Sequence, residues 1–337
     1  MIHHSNPTAT APERTSTNAE ESARFPLDAV FVGAGRMGQA LLKGLLARLG
    51  AHRIGFVETH EPTAASLLES HPELTRLSLS PAHPELRSAA RSPSSNDAAT
   101  PSAVHGASDR TTEHREAAAP IEPLSHAVRD TTIVILAVKP QSFDTLASEL
   151  SPLQLAPAAA VSVMAGVPAE RLAGAFAPGT PIARAMPNTP ALAGVGMTGL
   201  WFDAHFDVPR KARIETLLLA VGQALEVTDE AQLHAVTALS GSGPAYLFRF
   251  GEALIRAGTT LGLDEAQASL LARETLFGAA TLARGEPDLA GLRAQVTSPG
   301  GTTAAALECF DRDGRLDALV KEALAAAHQR SRALAHP

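Results

Sequence analysis

The chain has one cysteine, one tryptophan and one tyrosine among 337 residues. A single thiol, Cys309, excludes an intrachain disulfide and fits a reducing, cytoplasmic compartment. It falls on a helical pattern and is expected to be packed rather than reactive. Aromatic residues make up 4%, and none occurs between Phe56 and Phe143. No apolar run approaches the roughly 20 residues that cross a bilayer. The first 24 residues lack the apolar core of a secretory signal, so no membrane partner is expected. Positive charge is also short. Lys and Arg number 28 against 35 Asp and Glu, and a net charge of −7 offers no basic surface for nucleic acid. The 13 histidines form no H-x-H, H-E-x-x-H or His/Cys cluster, so no metal site is expected.

What remains is an ordinary globular composition, 45% apolar and 19% charged, with length enough for two domains. Residues 1–27 are polar and read as a disordered tail. Over 28–228, strand-like apolar runs (29–32, 53–58, 132–138, 160–164, 182–186, 196–202 and 224–228) alternate with helical patterns. That rhythm predicts a parallel sheet with crossover helices. A stretch at 82–120, dominated by Ala, Ser, Pro, Thr and charge, has too little apolar surface to offset its ordering entropy. It reads as a mobile insertion, with Leu77-Ser78-Leu79 as the third strand before it. Residues 229–337 read as all-helical. Just upstream, Ile214, Leu217, Leu218, Val221 and Leu225 share one helix face over 208–225. Further on, Gly262 is expected to end one helix, Asp264 to cap the next, and Asp317 to precede the last.

Three motifs carry chemistry. The first is Ala29-Val30-Phe31-Val32-Gly33-Ala34-Gly35-Arg36-Met37-Gly38, a short strand running into G-x-G-x-x-G and then a helix. This is the dinucleotide fingerprint in the context it needs. Gly33 serves the tight turn, Gly35 lets backbone approach a pyrophosphate, and Gly38 lets the helix pack on the strand. Glu58 ends a second strand 20 residues after Gly38, where an acid accepts from a ribose hydroxyl. The other two are Leu239-Ser240-Gly241-Ser242-Gly243-Pro244 and Val296-Thr297-Ser298-Pro299-Gly300-Gly301-Thr302-Thr303. Each places small residues and hydroxyls before a helical segment, where open N–H groups cradle an anion such as a small carboxylate. A pair of capped helix starts is the plainer reading of these two.

With Val134-Ile135-Leu136-Ala137-Val138-Lys139-Pro140-Gln141 and Arg184-Ala185-Met186-Pro187-Asn188-Thr189-Pro190, these motifs resemble the pyrroline-5-carboxylate reductase family, in the family's order. The likeness covers about 28–80 and 122–335. It implies a Rossmann-type doubly wound α/β sheet followed by an all-helical C-terminal dimerisation domain. It also implies hydride transfer from NAD(P)H to the C=N bond of 1-pyrroline-5-carboxylate, giving L-proline, in a homodimer or higher homo-oligomer. By the same resemblance, Val32, Gly33, Ala34, Gly35, Arg36 and Met37 line the pyrophosphate, with Gly38 behind them. Ala137, Val138, Lys139 and Pro140 lie along the nicotinamide half, and Met164, Ala165 and Gly166 close the groove. The substrate carboxylate falls to Ser240, Gly241, Ser242 and Gly243 with Ser298, Gly300, Gly301, Thr302 and Thr303, and Asn188 faces the same crevice. No catalytic acid or base is assigned, because a cyclic imine takes its proton from solvent.

Two arginines depart from the family. Arg36 reaches either the pyrophosphate or a 2′-phosphate, or it points into solvent. Arg249 either clamps the carboxylate or snorkels outward, the second being the plainer reading. Glu58 repels a 2′-phosphate and favours NADH, whereas the family favours NADPH; NADPH is taken as the donor, with NADH the alternative. A β-hydroxyacid dehydrogenase joins the same two kinds of domain but needs a catalytic lysine in its helical half. After Lys211 this chain has only Lys321, near its end. A dinucleotide sensor without turnover would have no use for the second anion cradle.

Overall fold

Short runs of apolar residues build the centre of the molecule. The computed structural model describes residues 27–79 and 121–335, so residues 1–26 of the tail expected at 1–27 and the insertion expected at 82–120 lie outside the described residues, while Leu27 is buried against the sheet rather than part of a tail. The first part alternates β1 (Ala29–Val32), α1 (Arg36–Leu49), β2 (Ile54–Val57), α2 (Glu61–Ser70), β3 (Thr75–Ser78), β4 (Glu122–Pro123), α3 (Leu124–Ala127) and β5 (Ile133–Leu136). It continues with α4 (Phe143–Leu150), β6 (Ala159–Ser162), α5 (Ala169–Ala173), β7 (Ile182–Pro187), β8 (Gly196–Phe202), α6 (Val208–Leu218) and β9 (Gly222–Glu226). Among the described residues, nine strands form one sheet in the order β4-β3-β2-β1-β5-β6-β7-β8-β9. The chain therefore reverses direction across the sheet between β1 and β5, the switch point where doubly wound folds bind nucleotides.

Both faces of the sheet are covered. Phe31, Phe56 and Ile135 pack with Leu41 and Leu45 of α1 and with Ile214 and Leu217 of α6. Val30, Val134 and Leu136 pack on the other side with Phe143, Leu146 and Leu172. All four residues of β1, β2 and β5 are buried, as expected of central parallel strands covered on both faces.

Four expectations about where strands and helices lie are corrected. The sheet is not wholly parallel: β7 pairs with β8 antiparallel. Only the short 3-10 turn Thr189–Ala193 joins them, and a parallel return needs a longer crossover. The third strand is Thr75–Ser78, two residues earlier than Leu77-Ser78-Leu79, and the two-residue strand β4 beside it was unforeseen. Leu225 leaves the expected helix face, since α6 stops at Leu218 and Leu225 sits 56% exposed on β9. Asp317 lies in the first turn of the last helix rather than before it.

After β9 every described element is helical: α7 (Gln232–Val236), a π turn (Thr237–Gly241), α8 (Gly243–Thr260), α9 (Glu265–Gly285), α10 (Leu289–Gln295), α11 (Thr302–Asp311) and α12 (Arg315–Ala335). Gly262 at φ +98° follows α8. Asp264 caps α9 in a capping box with Gln267, as its sequence position predicts. These helices bury few large apolar side chains within the chain; Phe248 is 67% and Phe277 71% exposed. Cys309 is exposed too, against the expectation that it would be packed, because α11 turns this face away from the chain's own core. No helix among the described residues is long and apolar enough to cross a membrane.

Candidate active site

The loops that follow β1, β2 and β5 enclose a cleft of about 810 Å³ at the switch point. Its wall includes Val32, Gly33, Gly35, Arg36 and Met37 from the fingerprint, Glu58 from the end of β2, and Ala137, Val138, Lys139 and Pro140 from the end of β5. The glycines have the geometry their spacing predicts. Gly33 sits at φ +92°, and a Cβ there would lie 2.7 Å from Val138 Cγ1. A Cβ on Gly38 would lie 2.7 Å from Gly33 O, so α1 packs against the turn only without one. Gly35 has nothing closer than 3.9 Å to an added Cβ, so the wall there is bare backbone open to the cleft. Gly35 is also the N-cap of α1, which aims the helix's first N–H groups at whatever lies in front. A dinucleotide pyrophosphate fits such a glycine-bared helix start.

Glu58 is more engaged than its sequence position reveals. Its Oε2 accepts from Ala34 N–H at 2.8 Å and its Oε1 from His60 N–H at 2.8 Å. A carboxylate offers about four acceptor positions, so capacity for a ribose hydroxyl remains. Arg36 and Lys139 are both exposed on the cleft, and neither forms an ion pair among the described residues. Arg76 on β3 sits behind, donating to Glu58 O and, through two nitrogens, to Glu61. That paired hydrogen bond holds the Glu61 carboxyl below its ordinary range and pushes the Arg76 guanidinium up.

The far wall was not foreseen. Ser142, Thr145, Leu146 and Glu149 line it with Thr59 and Leu79. Their i, i+3, i+4, i+7 spacing marks a single helix face and was a usable signal. Met164, Ala165 and Gly166 do not border this cleft. Gly166, at φ +77°, lies under the end of α12, where a Cβ would come within 3.1 Å of the Leu334 backbone.

The second group of residues gathers at the end of β7. Asn188 Nδ2 donates to Ser240 O at 3.2 Å and to Ser240 Oγ at 3.3 Å. Its Oδ1 accepts from Met197 N–H at 2.9 Å. Asn188 and Ser240 are thus brought together, but the stretch Ser240–Gly243 is not the open helix start its composition suggested. The chain runs from α7 into α8 through a π turn, in which Ser242 N–H donates to Thr237 O at 2.9 Å. The residues Ser298–Thr303 do form a helix start. Gly300 takes φ +71°, Gly301 caps α11, and the Thr302 end of that helix is open to solvent. Helix α11 packs on α12 and meets α8 through Phe310 and Phe250, ring centroids 6.3 Å apart. Arg249 points outward, 65% exposed and 3.9 Å from Glu252, as its plainer reading has it.

Arg184, unremarked in the sequence beyond its motif, joins the two parts of the fold. Buried on β7, it pairs with Glu230 at 2.8 Å, and Glu230 also accepts from Ala169 N–H at 2.8 Å.

A glycine-bared cleft at the switch point of a doubly wound sheet, followed by a helical half, defines an oxidoreductase that works with a nicotinamide dinucleotide. The comparisons narrow the class. Residues 230–334 match the family model described as pyrroline-5-carboxylate reductase dimerisation. The pyrroline-5-carboxylate reductase of Pseudomonas aeruginosa is 44% identical over 216 residues, 64% of this chain and 79% of that one. Among solved structures, that of a pyrroline-5-carboxylate reductase from Coxiella burnetii superposes with a TM-score of 0.72. It is 28% identical and covers 93% of this chain and 100% of its own. The Plasmodium falciparum enzyme, solved with NADP bound, shares the fold at a TM-score of 0.64 and 22% identity, over 92% of this chain and 98% of its own. The chain belongs to the pyrroline-5-carboxylate reductase family.

Proposed function

We infer that this protein reduces the ring C=N bond of 1-pyrroline-5-carboxylate to L-proline, the last step of proline biosynthesis. The observation that carries the reading is the dinucleotide cleft at the β1/β5 switch point in a chain of this family. The reduced nicotinamide, when bound, supplies the hydride. Everything else falls to the chain's own groups. The N–H groups at the start of α1 face the pyrophosphate, and the Lys139 ammonium faces a ribose hydroxyl. Ala137, Val138 and Pro140 fix the plane of the nicotinamide half. Thr302 and Thr303, with the glycines before them, hold the substrate carboxylate through backbone N–H and hydroxyl donors, joined by the Ser240 hydroxyl. No side chain is assigned the proton, which solvent supplies to the imine nitrogen before hydride arrives. Residues 28–228 act as the dinucleotide-binding domain and 229–337 as the substrate and dimerisation domain of a cytoplasmic homo-oligomer.

The donor is NADPH. Two backbone N–H groups engage the Glu58 carboxylate, and the exposed guanidinium of Arg36 on the same cleft is free to meet a 2′-phosphate. Oxidation of NADPH and of NADH by the purified protein with 1-pyrroline-5-carboxylate tests both statements. Turnover with both and a higher kcat/KM for NADPH is expected. Arg36→Ala should raise the KM for NADPH roughly tenfold, the loss of one charge-assisted contact, and that for NADH far less. Equal losses with both cofactors would put Arg36 on the pyrophosphate instead. No turnover with either would overturn the substrate.

A further inference from the structure

A π turn inside a helical run is uncommon and is found most often at functional sites. Here two carbonyls lose the donors an α-helix would give them. Pro244 has no N–H, so Ser240 O loses the donor an α-helix would give it four residues on. Ser242 N–H reaches back five residues to Thr237 O and so passes over Ala238 O. Side chains satisfy both freed carbonyls. The Tyr246 hydroxyl donates to Ala238 O at 3.0 Å, and Asn188 Nδ2 donates to Ser240 O at 3.2 Å.

The same Asn188 nitrogen lies 3.3 Å from Ser240 Oγ. An amide nitrogen only donates, so the serine oxygen must accept. The Ser240 proton is thereby turned away from Asn188, and no acceptor for it occurs among the described residues. Asn188 itself has little left to offer, because its Oδ1 is held by Met197 N–H. The turn is also pressed close to β7, where a Cβ on Gly241 would lie 2.8 Å from Met186 Cε. We propose that Asn188 is a positioning residue and not a substrate ligand: it fixes Ser240 as an outward hydrogen-bond donor to the substrate carboxylate. The proposal rests on Ser240 being a substrate ligand.

A double-mutant cycle tests it, read as KM for 1-pyrroline-5-carboxylate alongside NADPH affinity by fluorescence. Ser240→Ala should raise KM roughly tenfold, one hydrogen bond to a charged group. Asn188→Ala should do about the same, and the pair together no more than either alone. Asn188→Asp is the second variant, for use if the alanine does not fold. It keeps the acceptor for Met197 N–H but offers Ser240 an acceptor, which turns the hydroxyl inward. Its KM should rise at least as much as that of the alanine variant, and the rise should vanish in the Ser240→Ala background. NADPH affinity should hold throughout. A milder Asp than Ala, or an Asn188 effect that persists without the Ser240 hydroxyl, would make Asn188 a structural strut or a direct ligand and overturn the proposal. An unchanged KM in Ser240→Ala would instead remove Ser240 from the substrate site.

Discussion

Single residues decide most about the cleft, and most of them were legible. The roles of Gly33 and Gly38 follow from a motif whose spacing encodes backbone approach. In the structure the added Cβ atoms would meet backbone or a short branched side chain, which cannot swing aside. Gly33→Ala should therefore cost about 2 kcal/mol or more from positive-φ strain and contact with Val138. Weaker NADPH binding and a lower Tm in the same variant are the expected readings. Arg184 and Glu230 were not legible as a pair, because 46 residues separate them and only tertiary contact joins them. Glu230→Ala strands a guanidinium whose side chain is 7% exposed. The loss should be about 3 kcal/mol, with Tm down by roughly 5–10 °C. The Glu61–Arg76 pair has a pH signature. The native carboxyl titrates below its ordinary value, so its contribution is complete above the unfolded carboxylate pKa of about 4.3 and disappears as pH falls through the lower native value. Arg76→Gln should flatten the acid limb of a Tm-against-pH curve. Because Glu61 is exposed, the change should be small.

At the scale of elements, existence was easier to foresee than pairing. The strand runs at 29–32, 53–58 and 132–138 announce themselves through short, nearly continuous apolar character, and all three are central strands. The direction of β8 was hidden. Direction depends on whether a 3-10 turn or a full helix fills the connection, and Thr189-Pro190-Ala191-Leu192-Ala193 is too short to separate the two by periodicity. The π turn was hidden for a related reason. Pro244 does stand in the first turn of α8, as a helix-start proline should, but only the three-dimensional partners of Ser240 O and Ala238 O reveal the π turn just before it. The start of α11 was read correctly, since glycine and threonine before a helix carry their own backbone logic. Thr302→Ala should raise the KM for the imine several-fold and leave NADPH affinity unchanged. Weaker cofactor binding at constant KM would remove Thr302 from the substrate cradle.

For the whole molecule the decisive feature is what one chain leaves uncovered. Phe248, Phe277, Leu270 and Leu271 stand more than half exposed on α8 and α9, in the region that matches the family's dimerisation model. A helical half that keeps so little of its apolar surface from water needs a second copy. Phe277→Glu together with Leu270→Glu should yield a monomer by light scattering. NADPH should still bind, because the cleft lies wholly within one chain, while turnover should collapse if the substrate cradle draws on both copies. A monomer with full turnover would locate the whole site in a single protomer.

The sequence alone determined the dinucleotide cleft and the order of the parts, because glycine spacing and apolar period are local properties of the chain. It also carried the family, in motifs whose residues are consecutive. Tertiary structure alone decided which groups meet across large separations: Arg184 with Glu230, Asn188 with Ser240, and Glu58 with the amide of Ala34. Those contacts depend on how the sheet stacks its strands and on which distant side chain is thereby brought to a given carbonyl or amide, and no local pattern records either.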